Sequence, residues 1–387
     1  MDKKKKTDGA ILIIAGENSG ENYGAGLVRQ FKGKNPFIEF FGIGGKHMAD
    51  EGVDLLFSIK ELSVVGIVEI ISHLPRIKRI FAGLRKEIKH RKPLAAVLID
   101  SPDFNLRLAK ILRKLSIPVL YYISPTIWAW RKSRLKTIKK RVTKMMLIFP
   151  FEEEIYNKYN IPAVYVGHPL KERIKTSLSK EEFFRKYEIV TDRKLIALLP
   201  GSRKSEIKYH MPVLFEGLSR IKREYDVQFL LLLAENLDRS FISNFIPSNF
   251  KKVKIISEDR HEAIKFSDLI LSSCGTANLE SALLETPLIS FYRVSPITFF
   301  LGVPFVKIKN YSIVNILAGK KIIPELIQKH FTPDNIFKET KRILDSEEIR
   351  SEMLNHFQKI KGTLGEKIAS QNAAAQLEQL VFEINQQ

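Results

Sequence analysis

The loop at residues 16–20 contains the first residues that could bind a ligand. Gly16 and Gly20 leave room for a backbone amide to approach a ligand closely, and Glu17 and Ser19 supply polar side chains. A helix that begins in this loop would favour an anion at its N-terminus. The glycine spacing matches neither a Walker A loop nor the strict dinucleotide-binding fingerprint. Two interpretations stay open: a ligand-binding loop, or a tight turn that packs a helix on a sheet.

Polar residues also follow the apolar run 95–99. Asp100 comes directly after this run, where a carboxylate can act as a general base, and a role in the turn or as a helix cap fits equally well. Asp103 or Asn105 is predicted to cap the helix that follows. The next apolar run, 119–123, leads into Trp128 and Trp130, which could stack on a sugar ring or fill the core.

In the second half of the chain, a strand-like run leads into Gly201, Ser202 and Arg203. The first two residues offer backbone amides, and Arg203 offers a guanidinium that can bind a phosphate through two hydrogen bonds. Ser205 could instead be an ordinary helix cap. The loop therefore predicts an anion site or a plain helix start.

A second glycine turn in this half contains Gly275, Thr276 and Ala277 before a predicted helix. A diphosphate could lie at this helix N-terminus, and Glu280, one turn further, could accept hydrogen bonds from ribose hydroxyls. Two anion sites in the same half favour a nucleoside diphosphate as the ligand. Cys274 is the single cysteine, which excludes an internal disulfide, and it has no candidate base that would make it a nucleophile.

The sequence shows no group of residues with the spacing of a metal site. An Asp-x-Asp triplet is absent, and the eight histidines are not clustered. We therefore predict neither a bound metal nor another cofactor. His168, which follows a predicted strand, either lines a ligand site or bonds to backbone groups.

The runs before these loops predict the strands that position them. In the first 170 residues, apolar runs alternate with helical patterns, such as Ile77, Ile80, Leu84 and Ile88 on one helix face. Strands that alternate with helices are typical of a parallel sheet covered on both faces. The predicted strands cover 11–14, 40–41, 95–99, 119–123, 145–148 and 164–166, and then 195–199, 229–233, 253–256, 269–271 and 288–291.

The stretch 171–194 is strongly charged and lacks strand-like runs, so it separates two α/β halves. The predicted fold class is α/β, with two Rossmann-like domains whose parallel sheets face a central cleft. The first domain would cover 1–170 and the second 171–345. Residues 346–387 are predicted to be helical because they are rich in Ala, Gln, Glu and Lys.

The charge of the chain is strongly unbalanced. It has 63 Lys and Arg against 43 Asp and Glu, a net charge of +20, which predicts a nucleic acid, a phosphate-bearing small molecule or an anionic membrane as partner. The absence of a nucleic-acid-binding motif disfavours the first. No window reaches the roughly 18 apolar residues of a membrane-spanning helix, and the lysines at 3–6 precede no signal-peptide core. We expect a cytoplasmic protein with at most peripheral membrane contact.

A mostly apolar segment precedes a strongly basic one between residues 62 and 92. This pattern fits an element that adsorbs to an anionic bilayer, and it also fits a core helix followed by a solvated basic helix. The apolar residues that would form a membrane patch are Val64, Val65, Ile67, Val68, Ile70, Ile71 and Leu74.

Taken together and in this order, the motifs resemble those of lipid-A-disaccharide synthases, bacterial glycosyltransferases of the GT-B fold. Each motif alone has little specificity, whereas the ordered set extends from about residue 15 to 335. The matching stretches are 15–20 (AGENSG), 65–69 (VGIVE), 99–105 (IDSPDFN), 124–131 (SPTIWAWR), 149–152 (FPFE), 166–170 (VGHPL), 200–203 (PGSR), 275–280 (GTANLE), 292–296 (YRVSP) and 315–319 (NILAG).

The resemblance implies that UDP-2,3-diacylglucosamine donates its sugar to 2,3-diacylglucosamine 1-phosphate. The products would be a β-1,6-linked disaccharide 1-phosphate and UDP, with inversion at the anomeric carbon and no obligate metal. By the same resemblance, Asp100 is the base for the acceptor 6-hydroxyl. The nucleotide-sugar site would comprise Gly201, Ser202, Arg203, Gly275, Thr276, Ala277, Glu280 and Asn315.

The resemblance also implies an acceptor side, a membrane contact and an assembly. The acceptor residues would be Gly16, Glu17, Ser19, Gly20, Asp103, Asn105 and Trp128. The patch at 64–74 would contact the inner face of the bacterial inner membrane and admit acyl chains. Residues 346–387 would pack back on the N-terminal domain or be exchanged between the subunits of a homodimer.

Three positions depart from the family pattern: Glu21, where the family usually has Asp, and Cys274 and Asn278 in the turn before the second-half helix. They leave the predicted reaction unchanged but weaken any prediction of acyl-chain length or donor contacts. The alternative is another UDP-sugar enzyme of the same fold, either an epimerase or a peptidoglycan-type transferase. Those enzymes lack the stretch 124–131 in this form.

Overall fold

The computed structural model describes residues 9–62, 74–128, 133–295 and 310–385. The chain divides into two compact units, of which the first comprises Met1–Glu172 with Leu364–Gln387 and the second comprises Arg173–Thr363. This division lies two residues after the boundary predicted at 170. The predicted C-terminal segment 346–387 is shared between the units, because the chain returns to the first unit at Leu364.

The first unit is built on a sheet of seven described strands in the order β3-β2-β1-β4-β5-β6-β7, and every neighbouring pair is parallel. The order changes direction between β1 and β4, so the loops after these two strands lie side by side at the carboxyl edge. The strands are β1 (Gly9–Ala15), β2 (Ile38–Gly44), β3 (Val53–Ser58), β4 (Ala95–Ile99), β5 (Val119–Tyr122), β6 (Lys144–Leu147) and β7 (Ala163–Tyr165).

Helices cover this sheet because its central strands are apolar on both faces. Ile80, Leu84 and Ile88 lie on one buried helix face, as their spacing predicts, and pack in a cluster with Leu108 and Leu112. The described helices up to the unit boundary are α1 (Asn18–Lys34), α2 (Lys46–Asp50), α3 (Leu74–Arg91), α4 (Pro102–Lys114), α5 (Arg134–Arg141), α6 (Phe151–Lys158) and α7 (Pro169–Arg173). The C-terminal helix of the chain also belongs to this unit.

The second unit contains a sheet of six described strands, again parallel, in the order β10-β9-β8-β11-β12-β13. Its strands are β8 (Lys194–Leu199), β9 (Val227–Leu232), β10 (Lys254–Ile256), β11 (Leu269–Ser273), β12 (Leu288–Tyr292) and β13 (Glu325–Ile327). The remaining helices are α8 (Lys180–Lys186), α9 (Lys204–Glu224), α10 (Arg239–Ser243), α11 (Arg260–Lys265), α12 (Thr276–Leu283), α13 (Ile313–Leu317), α14 (Pro333–Asp345), α15 (Glu347–Thr363) and α16 (Ala369–Asn385), the last in the first unit.

The predicted α/β class with two parallel sheets is confirmed. The predicted membrane patch at 64–71 lies outside the described residues, as does Trp130, while Leu74 begins α3. Within the described ranges, no helix combines the length and the apolar character needed to cross a bilayer.

Candidate functional site

Two neighbouring loops of the first unit meet at the carboxyl edge of its sheet. Strand β1 leads into Gly16 and strand β4 leads into Asp100, and Ala15 pairs with Ile99 in the parallel register. A Cβ atom at Gly16 would lie 2.0 Å from the Cβ of Ser101, so a glycine is required at this contact. The predicted glycine loop thus packs directly against the loop that carries Asp100.

The backbone at this edge is held in an unusual conformation. Asp100, Ser101 and Ile123 have φ angles of 51°, 45° and 70°, a left-handed region that costs free energy for residues other than glycine. The carbonyl oxygen of Asp100 accepts hydrogen bonds from Nδ2 of Asn105 at 2.8 Å and from the Tyr121 hydroxyl at 2.5 Å. These bonds compensate for the strained backbone and fix the position of the Asp100 loop.

The Asp100 carboxyl has the proton affinity of a general base. Burial and, to a smaller extent, the negative charge of Glu17 raise its pKa to about 6, against the opposing effects of the Ser101 backbone N–H and the Arg134 charge. A carboxyl with this pKa is largely ionised at neutral pH and is more basic than an ordinary aspartate.

Neither residue predicted to cap the following helix is its N-cap. The N-cap of α4 is Ser101, whose side chain makes no capping hydrogen bond. Asn105 is buried, and its Nδ2 donates to the carbonyl of Ile99 at 3.0 Å, so it secures the end of β4. Asp103 is exposed and pairs with Arg134 at 2.7 Å.

Trp128 hydrogen-bonds to a buried polar cluster formed by Ser124, Glu152 and Tyr156. Its indole N–H donates to Oε1 of Glu152 at 3.3 Å, and its ring meets Phe151 edge to face. Burial raises the pKa of Glu152 to about 8, so this side chain is mostly protonated at neutral pH. The hydroxyls of Ser124 and Tyr156 share a hydrogen bond of 2.8 Å in the same cluster. The cluster fixes the loop after β5, and acceptor binding by Trp128 stays a prediction.

Two other residues singled out by the sequence bond to the backbone. Nδ1 of the buried His168 accepts a hydrogen bond from the N–H of Leu170 at 3.2 Å, and burial lowers the pKa of this histidine to about 3. The Glu21 carboxylate accepts from the N–H groups of His47 at 2.7 Å and Met48 at 3.3 Å, at the start of α2. Glu21, which departs from the family pattern, therefore caps the N-terminus of α2.

In the second unit, the predicted anion-binding loop after β8 is occupied by the carboxylate of Glu206, on the helix that follows it. Glu206 accepts hydrogen bonds from the N–H groups of Ser202 at 2.9 Å and Arg203 at 3.2 Å. Gly201 has a φ of +132°, and a Cβ atom there would lie 2.5 Å from Oε2 of Glu206. The Ser202 amide, one of the two expected to face a phosphate, is therefore bonded to Glu206, and phosphate binding by this loop stays a prediction. The Arg203 side chain is 45% exposed and lies 3.4 Å from Oε1 of Glu206.

The second predicted anion site is more open. Gly275 and Thr276 are exposed at the start of α12, and a Cβ atom at Gly275 would meet nothing within 4 Å. Glu280, one turn further, is nearly buried and accepts from Arg260 at 2.9 Å and His261 at 3.2 Å. Although burial opposes ionisation, these partners lower the pKa of Glu280 to about 2. The helix start is accessible to an anion, with a fixed carboxylate behind it.

Two buried asparagines stabilise the loops around α12. Oδ1 of Asn278 accepts from the hydroxyls of Ser290 at 2.7 Å and Ser312 at 3.0 Å, which accounts for its departure from the family pattern. Asn315 donates to Ile323 O and Glu325, and its Oδ1 accepts from the N–H groups of residues 322 and 323. All four hydrogen-bonding positions of the Asn315 amide are used within the protein, so its effect on a nucleotide would act through this loop.

His210 is an important residue that the sequence interpretation missed. Its ring nitrogens lie 2.6 Å from the carbonyl of Pro200 and 3.0 Å from the backbone N–H of Arg293. A carbonyl can only accept, so Nδ1 carries the proton and Nε2 accepts from Arg293. Burial lowers the pKa of His210, which keeps the ring neutral. Its place among buried Ile207, Met211 and Leu214 on one helix face is the signal that could have revealed it.

Among the described residues, neither Cys274 nor a metal site supplies further reactive chemistry. Burial raises the pKa of the Cys274 thiol to about 12, so it stays protonated. Among the residues that the structure describes, no three His, Cys, Asp or Glu side chains are grouped as metal ligands would be. Metal-independent chemistry stays a prediction.

The fold of this chain is that of GT-B glycosyltransferases and UDP-N-acetylglucosamine 2-epimerases. The chain matches the Neisseria meningitidis UDP-GlcNAc 2-epimerase with a TM-score of 0.65 and 14% identity, covering 97% of this chain and 100% of that one. It matches the calicheamicin glycosyltransferase with a TM-score of 0.62 and 12% identity, covering 97% and 98% of the two chains. Identities this low define the fold alone.

Sequence relatives define the family. The family model for lipid-A-disaccharide synthetase matches residues 11–380. The lipid-A-disaccharide synthase of Myxococcus xanthus is 39% identical over 372 residues, 96% of this chain and 97% of the relative. The enzyme of Solibacter usitatus is 36% identical over 373 residues, with the same coverage. The chain belongs to the lipid-A-disaccharide synthase family, which confirms the resemblance seen in its motifs.

Proposed function

We propose that this chain is a glycosyltransferase that condenses two acylated glucosamine precursors of lipid A. The donor is UDP-2,3-diacylglucosamine, the acceptor is 2,3-diacylglucosamine 1-phosphate, and the products are a β-1,6-linked disaccharide 1-phosphate and UDP. The observation that carries the proposal is the partly buried Asp100 carboxyl, with a pKa of about 6 in a fixed loop, in a chain of this family.

In the first unit, Asp100 removes the proton from the acceptor 6-hydroxyl. The hydroxyl oxygen attacks the anomeric carbon of the donor as the bond to the diphosphate breaks, which inverts that carbon. The strained backbone and its bonds to Asn105 and Tyr121 hold the base in place before the acceptor arrives. Glu17 and Ser19 in the adjoining loop contact the acceptor.

In the second unit, cationic and backbone groups bind the departing UDP. The guanidinium of Arg203 and the open helix start at Gly275 and Thr276 stabilise the negative charge that develops on the diphosphate. Glu280, kept ionised by Arg260 and His261, accepts hydrogen bonds from the ribose. These groups perform the charge stabilisation for which other transferases use a metal, so the reaction proceeds without one.

The chain works at the cytoplasmic surface of an anionic membrane, where both lipid substrates are located. Its net charge of +20 supports this location, and the apolar residues at 64–74 supply the contact. The C-terminal helices take part in a homodimer. Localisation and assembly are parts of the proposal that follow from the family resemblance.

The test is a turnover assay in detergent with both lipid substrates and EDTA, followed by mass spectrometry of the products. We expect a tetraacyl disaccharide 1-phosphate and one UDP for each disaccharide formed. Epimerised UDP-sugar without disaccharide would establish the alternative class. Absence of disaccharide across several acyl lengths, with Mg²⁺ restored and a folded protein, would overturn the proposal.

A further inference from the structure

A groove between α3 and α4 has a strongly cationic lining. It encloses about 330 Å³ and is lined by Phe81, Arg85, Arg107, Lys110, Ile111 and Lys114. The four residues from α4 recur at i, i+3, i+4 and i+7, and the two from α3 are four residues apart, so each helix presents one continuous face. The groove therefore concentrates four positive charges on an apolar base.

No acidic side chain among the described residues neutralises these four charges. Within the described part of the chain, none of the four cations makes an ion pair or a side-chain hydrogen bond with a carboxylate. The acidic residues of the two helices are engaged elsewhere, since Glu87 pairs with Arg91 at 3.1 Å and Asp103 with Arg134 at 2.7 Å. Like charges that share a groove repel one another, and an anion would relieve this repulsion.

The base of the groove is apolar and well packed. The Phe81 ring lies against the Phe104 ring with centroids 4.6 Å apart, and Phe81 and Ile111 are partly buried. A free phosphate or a nucleic-acid backbone would leave this apolar surface unused. An anion with attached hydrocarbon would cover both parts of the groove.

A second cavity adjoins the groove at the C-terminal ends of the same two helices and reaches α16. It measures about 730 Å³, within the roughly 300–1,000 Å³ of small-molecule sites, and its lining is mainly apolar. Lys114 lines the groove and Leu115, the next residue, lines the cavity. The cavity lies at the amino-terminal edge of the sheet, opposite the Asp100 loop, because Leu94 and Pro118 directly precede β4 and β5. Its apolar residues include Ile88, Leu94, Leu115, Ile117, Leu380 and Ile384.

We propose that the groove and this cavity form a binding site for one anionic phospholipid. The cations Arg85, Arg107, Lys110 and Lys114 hold the headgroup phosphate, and the cavity accepts part of an acyl chain. Charge complementarity selects the anionic headgroup, and the adjoining apolar cavity selects a lipid over a free anion. The site is separate from the acceptor site proposed above and does not depend on the transferase reaction.

The test measures binding of dihexanoyl phosphatidylglycerol, below its critical micelle concentration, to the full-length protein by titration calorimetry and native mass spectrometry. We expect saturable binding of one molecule. The double variant Arg107→Glu/Lys110→Glu should bind about tenfold more weakly or worse, since each basic residue near a lipid phosphate contributes roughly 1 kcal/mol. Affinity within twofold of the unsubstituted protein would overturn the proposal.

A matched control is the double variant Lys86→Glu/Arg113→Glu, on the same helices. Both positions are exposed and outside the groove, and the change in net charge is identical. We expect it to bind the lipid as tightly as the unsubstituted protein. A loss equal to that of the groove variant would mean diffuse charge attraction and overturn the site.

Binding of other ligands distinguishes an anionic phospholipid from a neutral lipid, a free phosphate and a nucleic acid. Neutral dihexanoyl phosphatidylcholine should bind much more weakly, whereas equal affinity for inorganic phosphate or for duplex DNA would overturn the lipid assignment. The KM for the lipid acceptor should be unchanged in the groove variant. A large rise in that KM would place the acceptor phosphate in the groove and remove the separate lipid site.

Discussion

At the scale of single residues, Asp100 joins basicity to a fixed position. Its carboxyl must be ionised to accept a proton, so kcat/KM should fall about tenfold per pH unit below the carboxyl's pKa of about 6. Asp100→Asn keeps the shape of the side chain and should lower kcat by roughly 10²–10⁴ while UDP binding is unchanged. The measurement is a pH–rate profile of UDP release.

Asp103 provides the control for this prediction. It follows the same strand, but its carboxylate is exposed and paired with Arg134 at the surface. Asp103→Asn should retain activity within a few fold and keep the same pH profile. An Asp100→Asn enzyme within tenfold of the unsubstituted rate, or a profile that stays flat from pH 5 to 7, would assign the base elsewhere.

The raised pKa of Glu152 makes the stability of the folded protein depend on pH. Its pKa is about 8 in the folded protein and about 4.3 in an unfolded chain, so unfolding releases a proton between these values. The free energy of unfolding therefore decreases as the pH rises from about 5 to about 8, and is level above this range. Glu152→Gln removes this dependence and should gain stability relative to the unsubstituted protein by up to about 1.4 kcal/mol per pH unit in this window.

Urea unfolding of both proteins at pH 5, 6, 7 and 8 measures this difference. Taking the difference cancels the contribution of Asp100, which the two proteins share. A stability difference that is constant over the four pH values would show that Glu152 is ionised throughout, contrary to its burial beside Trp128.

Residue by residue, the sequence predicts positions at strand ends better than it predicts their partners. Asp100, Gly16 and Gly275 were found because they follow apolar runs, and a strand end is visible in the local pattern. The partner of the amides after β8 was not found, because a carboxylate on a helix and a phosphate satisfy the same N–H groups. Local spacing cannot distinguish the two.

At the scale of the structural element, two glycines of the second unit lie in the turns that lead into helices α9 and α12, but their surroundings differ. Gly201→Ala would place a Cβ atom 2.5 Å from the Glu206 carboxylate at a φ of +132°. It should cost about 1–3 kcal/mol of stability and raise the KM for the UDP-sugar, since the Arg203 loop would move. Gly275→Ala has extended backbone and open space, so it should change stability by about 0.5 kcal/mol or less.

Thermal unfolding and donor kinetics of the two alanine variants form one matched experiment. Equal stability losses would show that loop strain at Gly201 is absent. A loss of donor affinity in Gly275→Ala without a loss of stability would support a ligand that approaches the start of α12 closely.

His210, on α9, bonds to the backbone after β8 and after β12. Its replacement therefore tests how firmly α9 holds the ends of these two strands. His210→Phe preserves the packing volume but leaves the carbonyl of Pro200 and the N–H of Arg293 without their partner. Two buried unpaired groups should cost about 2–5 kcal/mol. Chemical denaturation measures this cost, and a loss below 1 kcal/mol would show that water replaces the ring.

The two strands missed from the sequence, β3 and β13, are both edge strands. Strand β3 is mostly half-exposed and β13 has three residues, so neither produces a long apolar run. Central strands such as β4 are apolar on both faces and are evident in the sequence. The other two edge strands, β7 and β10, were predicted from the apolar runs 164–166 and 253–256. The pattern therefore predicts the interior and one edge of each sheet, whereas β3 and β13 depend on tertiary contacts.

At the scale of the whole molecule, the chain leaves the first unit at residue 173 and returns to it at residue 364. Helix α16 is then secured to β7 and α7 by specific bonds. The Tyr165 hydroxyl donates to the carbonyl of Leu364 at 2.5 Å, the N–H of Ser370 donates to Glu172 at 2.8 Å, and Asn372 donates to the carbonyl of Val166 at 3.0 Å. The stability of the first unit thus depends on the last residues of the sequence.

Two positions on α16 test this dependence. Leu377 is fully buried and Phe382 is 64% exposed on the same helix. Leu377→Ala should destabilise the first unit by about 2–5 kcal/mol, because it removes a buried side chain, whereas Phe382→Ala should change stability by about 0.5 kcal/mol or less. Hydrogen exchange should therefore accelerate in β1 and α1 of the Leu377→Ala protein, while β8 and β11 of the second unit stay protected and UDP binds as before. Equal acceleration in both sheets would show that the units unfold as one, and no acceleration in either would show that α16 contributes nothing to the first unit.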